Sequence, residues 1–158
     1  MTKIIFVCLG NICRSPMAEF IMKDLLIKAK SNDKFTVSSA GTSGYHDGED
    51  MHHKTKAMLN SKNINSKPFC SQKLSLKMCE ENNLIIVMDN SNYNDVVKNF
   101  PNFKHKIHKI TSYALELGYD EVPDPWYSGD FDETYKILSK ACKNLLQELD
   151  KKLSFKYY

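Results

Sequence analysis

Apolar residues fall in two rhythms along this chain. Short unbroken runs occur at Ile4–Cys8, Phe35–Ser39, Leu84–Met88 and Lys106–Ile110, rich in Ile, Val or Phe. Runs of that length without alternation predict strands buried on both faces, as in a parallel sheet. Between them the spacing is helical. Met17, Ile21 and Leu25, with Met22, Leu26 and Ala29, form one helix face. Thr55–Asn60 predicts a second helix, Leu76–Glu81 a short third, and Tyr93–Asn99 a fourth that stops before Phe100-Pro101. The last helix is the clearest. Asp130 stands as its cap with Glu133 three residues on, a capping-box spacing, and Leu138, Cys142, Leu145 and Leu149 then form a core-facing stripe. The Lys- and Tyr-rich tail, residues 151–158, is expected to fray. This alternation predicts an α/β fold: one doubly wound domain over residues 1–158, with a four-stranded parallel sheet and helices on both faces. Ligands of such sheets bind beyond the carboxyl ends of the strands, where Cys8, Ser39 and Asp89 fall.

Composition narrows the class. The 158 residues can bury roughly 70% of their unfolded surface in one core. A charged fraction of 26% and a net charge of +3 are too balanced to point to nucleic acid, and favour an acidic or phosphorylated partner only weakly. No apolar run approaches the length of a membrane span, and the run after Lys3 is too short for a signal peptide. The five cysteines, Cys8, Cys13, Cys70, Cys79 and Cys142, show no C-x2-C pairing, so neither a zinc site nor a disulfide framework is indicated. A cytoplasmic monomer with reduced thiols is expected, with Cys70, Cys79 and Cys142 structural. His46, His52 and His53 lie in a polar stretch and read as a solvated loop rather than a metal cluster.

The chemistry concentrates in Cys8-Leu9-Gly10-Asn11-Ile12-Cys13-Arg14-Ser15, between the first predicted strand and the first predicted helix. Ser15-Pro16 reads as an N-cap followed by proline at the first helical position. A strand, a short loop and a helix start turn backbone N–H groups toward one point, which suits a dianion such as phosphate. Residues Leu9 to Ser15 would form that cradle. A thiol at its mouth lies in the same positive field, which favours the thiolate nucleophile. Arg14 suits the equatorial oxygens of a phosphoryl group through its planar fork. Gly10 lets the backbone approach the anion, and Asn11 tolerates the left-handed conformation a tight cradle needs. Far downstream, Asp124 precedes Pro125, which biases it toward an extended conformation. Asp124 is the candidate general acid. Asp120 and Asp130 compete, and a helix cap already accounts for Asp130.

The string Val7-Cys8-Leu9-Gly10-Asn11-Ile12-Cys13-Arg14-Ser15-Pro16-Met17-Ala18-Glu19 closely resembles the low-molecular-weight protein tyrosine phosphatases, in which the phosphate loop lies at the N-terminus and an Asp-Pro pair far downstream supplies the acid. Asp124-Pro125-Trp126-Tyr127 stands at the matching place, and the resemblance covers nearly the whole chain. It implies hydrolysis of protein phosphotyrosine and small aryl phosphates through a phosphocysteine on Cys8, with neither metal nor cofactor. Ser15 resembles the hydroxyl that assists departure of the thiolate. Asn11, Ser15 and Ser39 resemble a hydrogen-bonded group that braces the loop, and Asp89 an aspartate that orients Arg14. Many relatives add a histidine to that group. Here Phe69, in Lys67-Pro68-Phe69-Cys70, falls at its place.

Leu9, Ile12, Tyr45, Trp126 and Tyr127 would wall an apolar, aromatic slot that favours aryl phosphates, with Trp126 and Tyr127 on an exposed loop. Protein-arginine phosphatases of this fold carry threonine where Ile12 stands, so isoleucine leans toward tyrosine. Cys13 is open between two readings, plain packing and a disulfide with Cys8 under peroxide. Tyrosine-phosphorylated proteins are the expected partners, with inorganic phosphate as product and competitive inhibitor, and with no nucleic acid or membrane. Two other chemistries run on similar loops. Arsenate reduction would call on Cys70 and Cys79, whose surroundings do not resemble the reductase segment. A phosphocysteine carrier would not need Arg14 together with an Asp-Pro acid.

Overall fold

The computed structural model describes residues 1–156. Four strands, β1 (Thr2–Cys8), β2 (Phe35–Gly41), β3 (Leu84–Val87) and β4 (Ile107–Lys109), form one sheet in the order β2-β1-β3-β4 with every pairing parallel. The unbroken apolar character of β1 follows from its central position: Ile4 to Cys8 are all buried. Its pleat divides them. Ile4, Phe6 and Cys8 join a cluster with Met17 and Ile21 of helix α1 (Arg14–Lys28) and Ile137, Leu138 and Leu145 of α6 (Phe131–Lys156). Ile5 and Val7 turn to the other face, against Cys79 of α3 (Leu76–Glu81) and Val96 of α4 (Asn90–Asn99). Alternation of side-chain direction thus builds two cores from one strand. Helices cover both faces, α2 (His53–Ser61) packing with α1 and α6.

The strand order reverses between β1 and its neighbours β2 and β3, so a crevice opens beyond the carboxyl end of β1. Cys8 is the last residue of that strand.

Several boundaries differ from the sequence reading, each for a physical reason. Helix α1 begins at Arg14 with Cys13 at the N-cap position, and no side chain caps it. Ser15 is therefore not the cap, and Pro16 sits in the first turn rather than at its start. Residues Arg14 to Met22 are buried on every side, while Ala29 is exposed, so the single predicted face widens to the whole first half of the helix. Strand β2 runs on to Gly41, so Ser39 lies inside it rather than at its end. Asp89 caps α4 through Asn92 N at 2.7 Å and extends that helix back to Asn90. Asp130 accepts from Glu133 N at 2.9 Å. The reciprocal half of the capping box is absent, because the Glu133 carboxylate takes the Tyr119 hydroxyl at 2.9 Å instead. Helix α6 continues through Lys156; Tyr157 and Tyr158 lie outside the described residues. Three 3-10 segments between Pro101 and Leu117 and a one-turn helix α5 (Pro125–Ser128) were not legible as periodicity. Among the described residues no helix is long and apolar enough to cross a membrane.

Candidate active site

The loop after β1 folds with its carbonyls tied outward. Cys8 O accepts from Thr42 N at 2.9 Å, Leu9 O from Ser43 N at 2.9 Å, and Ile12 O from His52 N at 2.8 Å. Asn11 O accepts from Ser71 Oγ at 2.7 Å. The N–H groups of Leu9, Gly10, Asn11, Ile12 and Cys13 have no protein acceptor among the described residues. A loop with these four carbonyls engaged and its donors free is an anion cradle, and the uncapped start of α1 adds the orphan N–H groups of a helix N-terminus. Asn11 is left-handed, with φ of 55°, as the tight curve requires.

Gly10 is also close to a side chain. Its φ is not in the left-handed region, and a Cβ there would lie 3.1 Å from Cδ2 of His46, whose ring packs over it. Gly41 matters more to the loop. A Cβ on it would lie 2.8 Å from Leu9 O and 3.2 Å from Asn11 N, so the phosphate loop rests directly on the end of β2.

Behind the cradle, Cys8 Sγ lies 3.0 Å from Ser15 Oγ. Asn11 Nδ2 donates to Ser15 Oγ at 2.8 Å and to Ser39 Oγ at 2.9 Å. Asn11 Oδ1 accepts from Gln72 N at 2.9 Å. Asn11, Ser15 and Ser39 are thus brought together. Phe69 is not part of this group; its ring packs edge-on against Phe20 at 6.0 Å. Glu19 stands there instead, accepting from Ser39 Oγ at 2.6 Å. Its signal in the sequence was a carboxylate amid residues that the helix buries all round.

Arg14 is 2% exposed and links three parts of the site. Its Nη1 donates to Asp89 Oδ2 at 2.7 Å and to Val122 O at 2.9 Å. Its Nη2 lies 3.5 Å from Asp124 Oδ2. With Nη1 occupied twice, the Nε–Nη2 edge is the fork that remains for two parallel bonds to an anion. Burial pulls the Arg14 pKa down, but Cys8, Asp124 and Asp89 outweigh it and raise it above the ordinary arginine value. The guanidinium is a permanent cation.

Asp124 has φ of −77° and ψ of 114°, extended as expected before proline, and caps α5 by accepting Trp126 N at 3.0 Å on Oδ1. Trp126 and Tyr127 therefore lie on one helical turn rather than a loop, both exposed. The competing Asp120 is held elsewhere by Lys109 at 2.6 Å and by Asn90, contacts that keep its carboxyl below the usual range.

A cleft of about 490 Å³ opens over the loop, lined by Cys8, Leu9, Gly10, Ile12, Cys13, Arg14, Tyr45, Asp124, Trp126 and Tyr127 together with Ser43 and His46. The two last were not anticipated. His46 does not sit in a solvated loop: Nδ1 pairs with Glu49 at 2.5 Å and the ring lies against Tyr45 and Trp126. His52 stacks on His53 and tilts over Phe131. Cys13 is buried, and its thiol is pushed up to about 12 by burial and by the neighbouring Cys8 and Asp124. Cys79 and Cys142 are buried in the two cores, whereas Cys70 is exposed and not a packing residue. Neither Cys70 nor Cys79 lines the cleft.

The family model for the low molecular weight phosphotyrosine protein phosphatases matches residues 3–155. The low molecular weight protein-tyrosine-phosphatase YfkJ of Bacillus subtilis is 35% identical over 96% of this chain and 97% of its own. Its crystal structure superposes with a TM-score of 0.92 over 96% of each chain. The solution structure of the low molecular weight protein tyrosine phosphatase from Campylobacter jejuni is 62% identical, with a TM-score of 0.77 over 96% of this chain and 97% of that one. A Drosophila arginine phosphatase shares the architecture at 28% identity, with a TM-score of 0.85 over 94% of this chain and 98% of its own.

Proposed function

Because the chain belongs to the low molecular weight phosphotyrosine protein phosphatases, a family that hydrolyses phosphotyrosine in proteins, we propose that Cys8, Arg14 and Asp124 divide that hydrolysis among them. Cys8 Sγ attacks phosphorus in line. The P–O bond to the tyrosine breaks, and Asp124 protonates the departing phenolate. Water then attacks the phosphocysteine, its proton passes to the Asp124 carboxylate, and the S–P electron pair returns to sulfur. The free N–H groups of Leu9 to Cys13, with the Nε–Nη2 edge of Arg14, hold the equatorial oxygens, where the charge of the transition state gathers. Ser15 donates to the sulfur, Asn11 and Ser39 brace the loop, and Asp89 orients Arg14.

The observation that carries this reading is the loop whose carbonyls at Cys8, Leu9, Asn11 and Ile12 are engaged outward while its amides meet no protein acceptor among the described residues, closed around one sulfur. The exposed faces of Tyr45, Trp126 and Tyr127, with Leu9 and Ile12, form the walls against which a phenyl ring stacks. Inorganic phosphate, which fits the same cradle, is a competitive inhibitor. Five free cysteines fit a reducing, cytoplasmic setting, and we read the active form as a monomer, since one chain supplies every group named. Cys13, protonated at neutral pH, serves either as packing or as a partner that captures an oxidised Cys8.

One comparison tests the roles: p-nitrophenyl phosphate and phosphotyrosine peptides against phosphoserine and phosphoarginine peptides, in wild type and Cys8→Ser. Aryl substrates should turn over in wild type and not in the variant. Residual turnover by Cys8→Ser, or a preference for phosphoarginine, overturns the assignment.

A further inference from the structure

His46 lines the cleft over the phosphate loop, yet the roles just proposed give it nothing to do. Its ring is held from several sides. Nδ1 pairs with the Glu49 carboxylate at 2.5 Å, the Tyr45 ring meets it edge-on at 4.9 Å, and the Trp126 ring of α5 lies 6.2 Å away. The far edge of the imidazole faces the loop: a Cβ on Gly10 would stand 3.1 Å from Cδ2 and 3.7 Å from Nε2. Among the described residues Nε2 makes no hydrogen bond; the one bond of the ring is at Nδ1.

The two charge states of this ring meet an anion differently. A carboxylate only accepts, so in the neutral ring the proton stays on Nδ1 for Glu49, and Nε2 presents a lone pair. The imidazolium carries a proton on each nitrogen, one for Glu49 and one at Nε2. A lone pair beside the amides that hold a dianion is repelled by it, whereas a cation is attracted. An occupied cradle therefore favours the charged ring, and Glu49 keeps its bond to Nδ1 in both states.

We propose that His46 is a second cationic group of the phosphate site: as a tetrahedral dianion enters the cradle, the imidazole takes up one proton from solvent and stays charged while the anion is bound. The inference deepens the phosphatase reading above and rests on the cradle being the anion site. Other charges stand around the ring. Its own segment brings Glu49 and, past the turn, Asp47, whose carboxylate lies beside Gly44 together with the stem of Lys73 from the segment packed against it. The phosphate loop brings Cys8, Cys13 and Arg14, and the α5 side Asp124 and Tyr127, all lining the same cleft. Among these groups only an imidazole gains a positive charge by protonation near neutrality. The coupling is reciprocal, so an anion that favours the charged ring binds more tightly when the ring is charged. The site thus grips a dianion more strongly on the acid side of neutrality.

Sulfate is the probe, because it remains a dianion from about pH 5 to 8, where imidazole titrates, and brings no proton to the balance. Proton NMR follows the His46 ring across that range with and without saturating sulfate, the ring being assigned through its own backbone resonances. In wild type the midpoint should rise by about half to one pH unit with sulfate bound, the size expected for charges a few ångströms apart in a cleft open to water. Competition against p-nitrophenyl phosphate gives the affinity. His46→Asn should bind sulfate about threefold to tenfold more weakly than wild type near pH 5 and equally near pH 8. Comparing the two chains cancels what Cys8 adds to the pH dependence. Should His46→Asn fail to fold, the wild-type midpoint decides alone. An unmoved midpoint in a chain that binds sulfate, or a weakening in the variant that is the same at both pH values, overturns the proposal. If sulfate does not compete with p-nitrophenyl phosphate in wild type at all, the cradle has been misassigned, and that failure is distinct.

Discussion

Replacing Gly41 with alanine pushes the phosphate loop from behind, without changing any side chain that meets the substrate. The added methyl carbon would lie 2.8 Å from Leu9 O, 2.9 Å from Ser43 O and 3.2 Å from Asn11 N. All three are backbone atoms, so no flexible side chain can swing away. Gly41 cannot retreat either. Its N–H donates to Gln72 O at 2.8 Å, its carbonyl accepts Leu74 N at 2.8 Å, and its strand is in register with Cys8. The Leu9 carbonyl is held in turn by Ser43 N at 2.9 Å. Relief therefore comes from the loop itself, which must shift by about 0.6 Å to restore the 3.4 Å of ordinary contact. A misplacement of about 1 Å can cost about a hundredfold in rate, so a loss near tenfold in kcat/KM is expected, with overpacking costing about 1–3 kcal/mol of stability. Because phosphate and transition state use the same amides, the inhibition constant of inorganic phosphate should rise in parallel. The assay is kcat/KM on p-nitrophenyl phosphate, phosphate inhibition and urea unfolding, on wild type and Gly41→Ala. A variant that unfolds earlier yet keeps wild-type kcat/KM and phosphate affinity would show that the loop does not rest on Gly41.

Two further outcomes are expected. Asp124→Ala should lose roughly 10²–10⁴ in rate on phenyl phosphate, the range for general acid catalysis, and much less on p-nitrophenyl phosphate, whose leaving group needs little help; equal losses on both would name the wrong acid. Folding stability should fall steeply above pH 9. Burial raises the thiol of Cys13 to about 12 and that of Cys79 to about 11, and pushes Cys142 up as well, so above pH 9 the unfolded chain releases protons that the folded chain keeps. Their contribution is complete below the unfolded value and is lost as pH rises toward the folded ones, at up to about 1.4 kcal/mol per pH unit for each thiol between pH 9 and 11. Urea midpoints measured across that range check it, and a flat or rising profile would refute it.

What was legible in the sequence was whatever chemistry or periodicity wrote within a short stretch. The strand cores, α3 and the loop from Cys8 to Ser15 are each contiguous, so spacing and residue type sufficed. Asp124 was legible through the family resemblance, which places an Asp-Pro pair far downstream of the loop. Contacts between distant segments left no such trace. Gly41 bears on the loop only because β2 is in register with β1, Ser71 and Gln72 reach Asn11 from a segment without periodicity, and His46 enters the cleft through a turn held by Glu49. Pro16 misled for the opposite reason. It resembles a helix-starting proline, but the structure begins the helix earlier and leaves its end uncapped, which a ligand site needs and a purely structural helix would not.

Arg14 shows why the two distant motifs must appear together. Its guanidinium is buried, and a buried cation is tolerated only where its donors are met by acceptors or counter-charges. Asp89 and Val122 O meet one nitrogen, and both belong to the segments that follow β3 and precede Asp124. Val122 N in turn donates to Met88 O at 2.9 Å, so the chain leading to the candidate acid is fastened to the sheet end beside the loop. The residue proposed to grip the phosphoryl group is thus also tied to the segment that carries Asp124. A loop carrying Cys8 and Arg14 without the downstream aspartates would leave a charge buried and unmatched, whereas the Asp-Pro segment alone would have no anchor. Each motif supplies what the other lacks, and this mutual need, rather than either string alone, makes the pair informative about function.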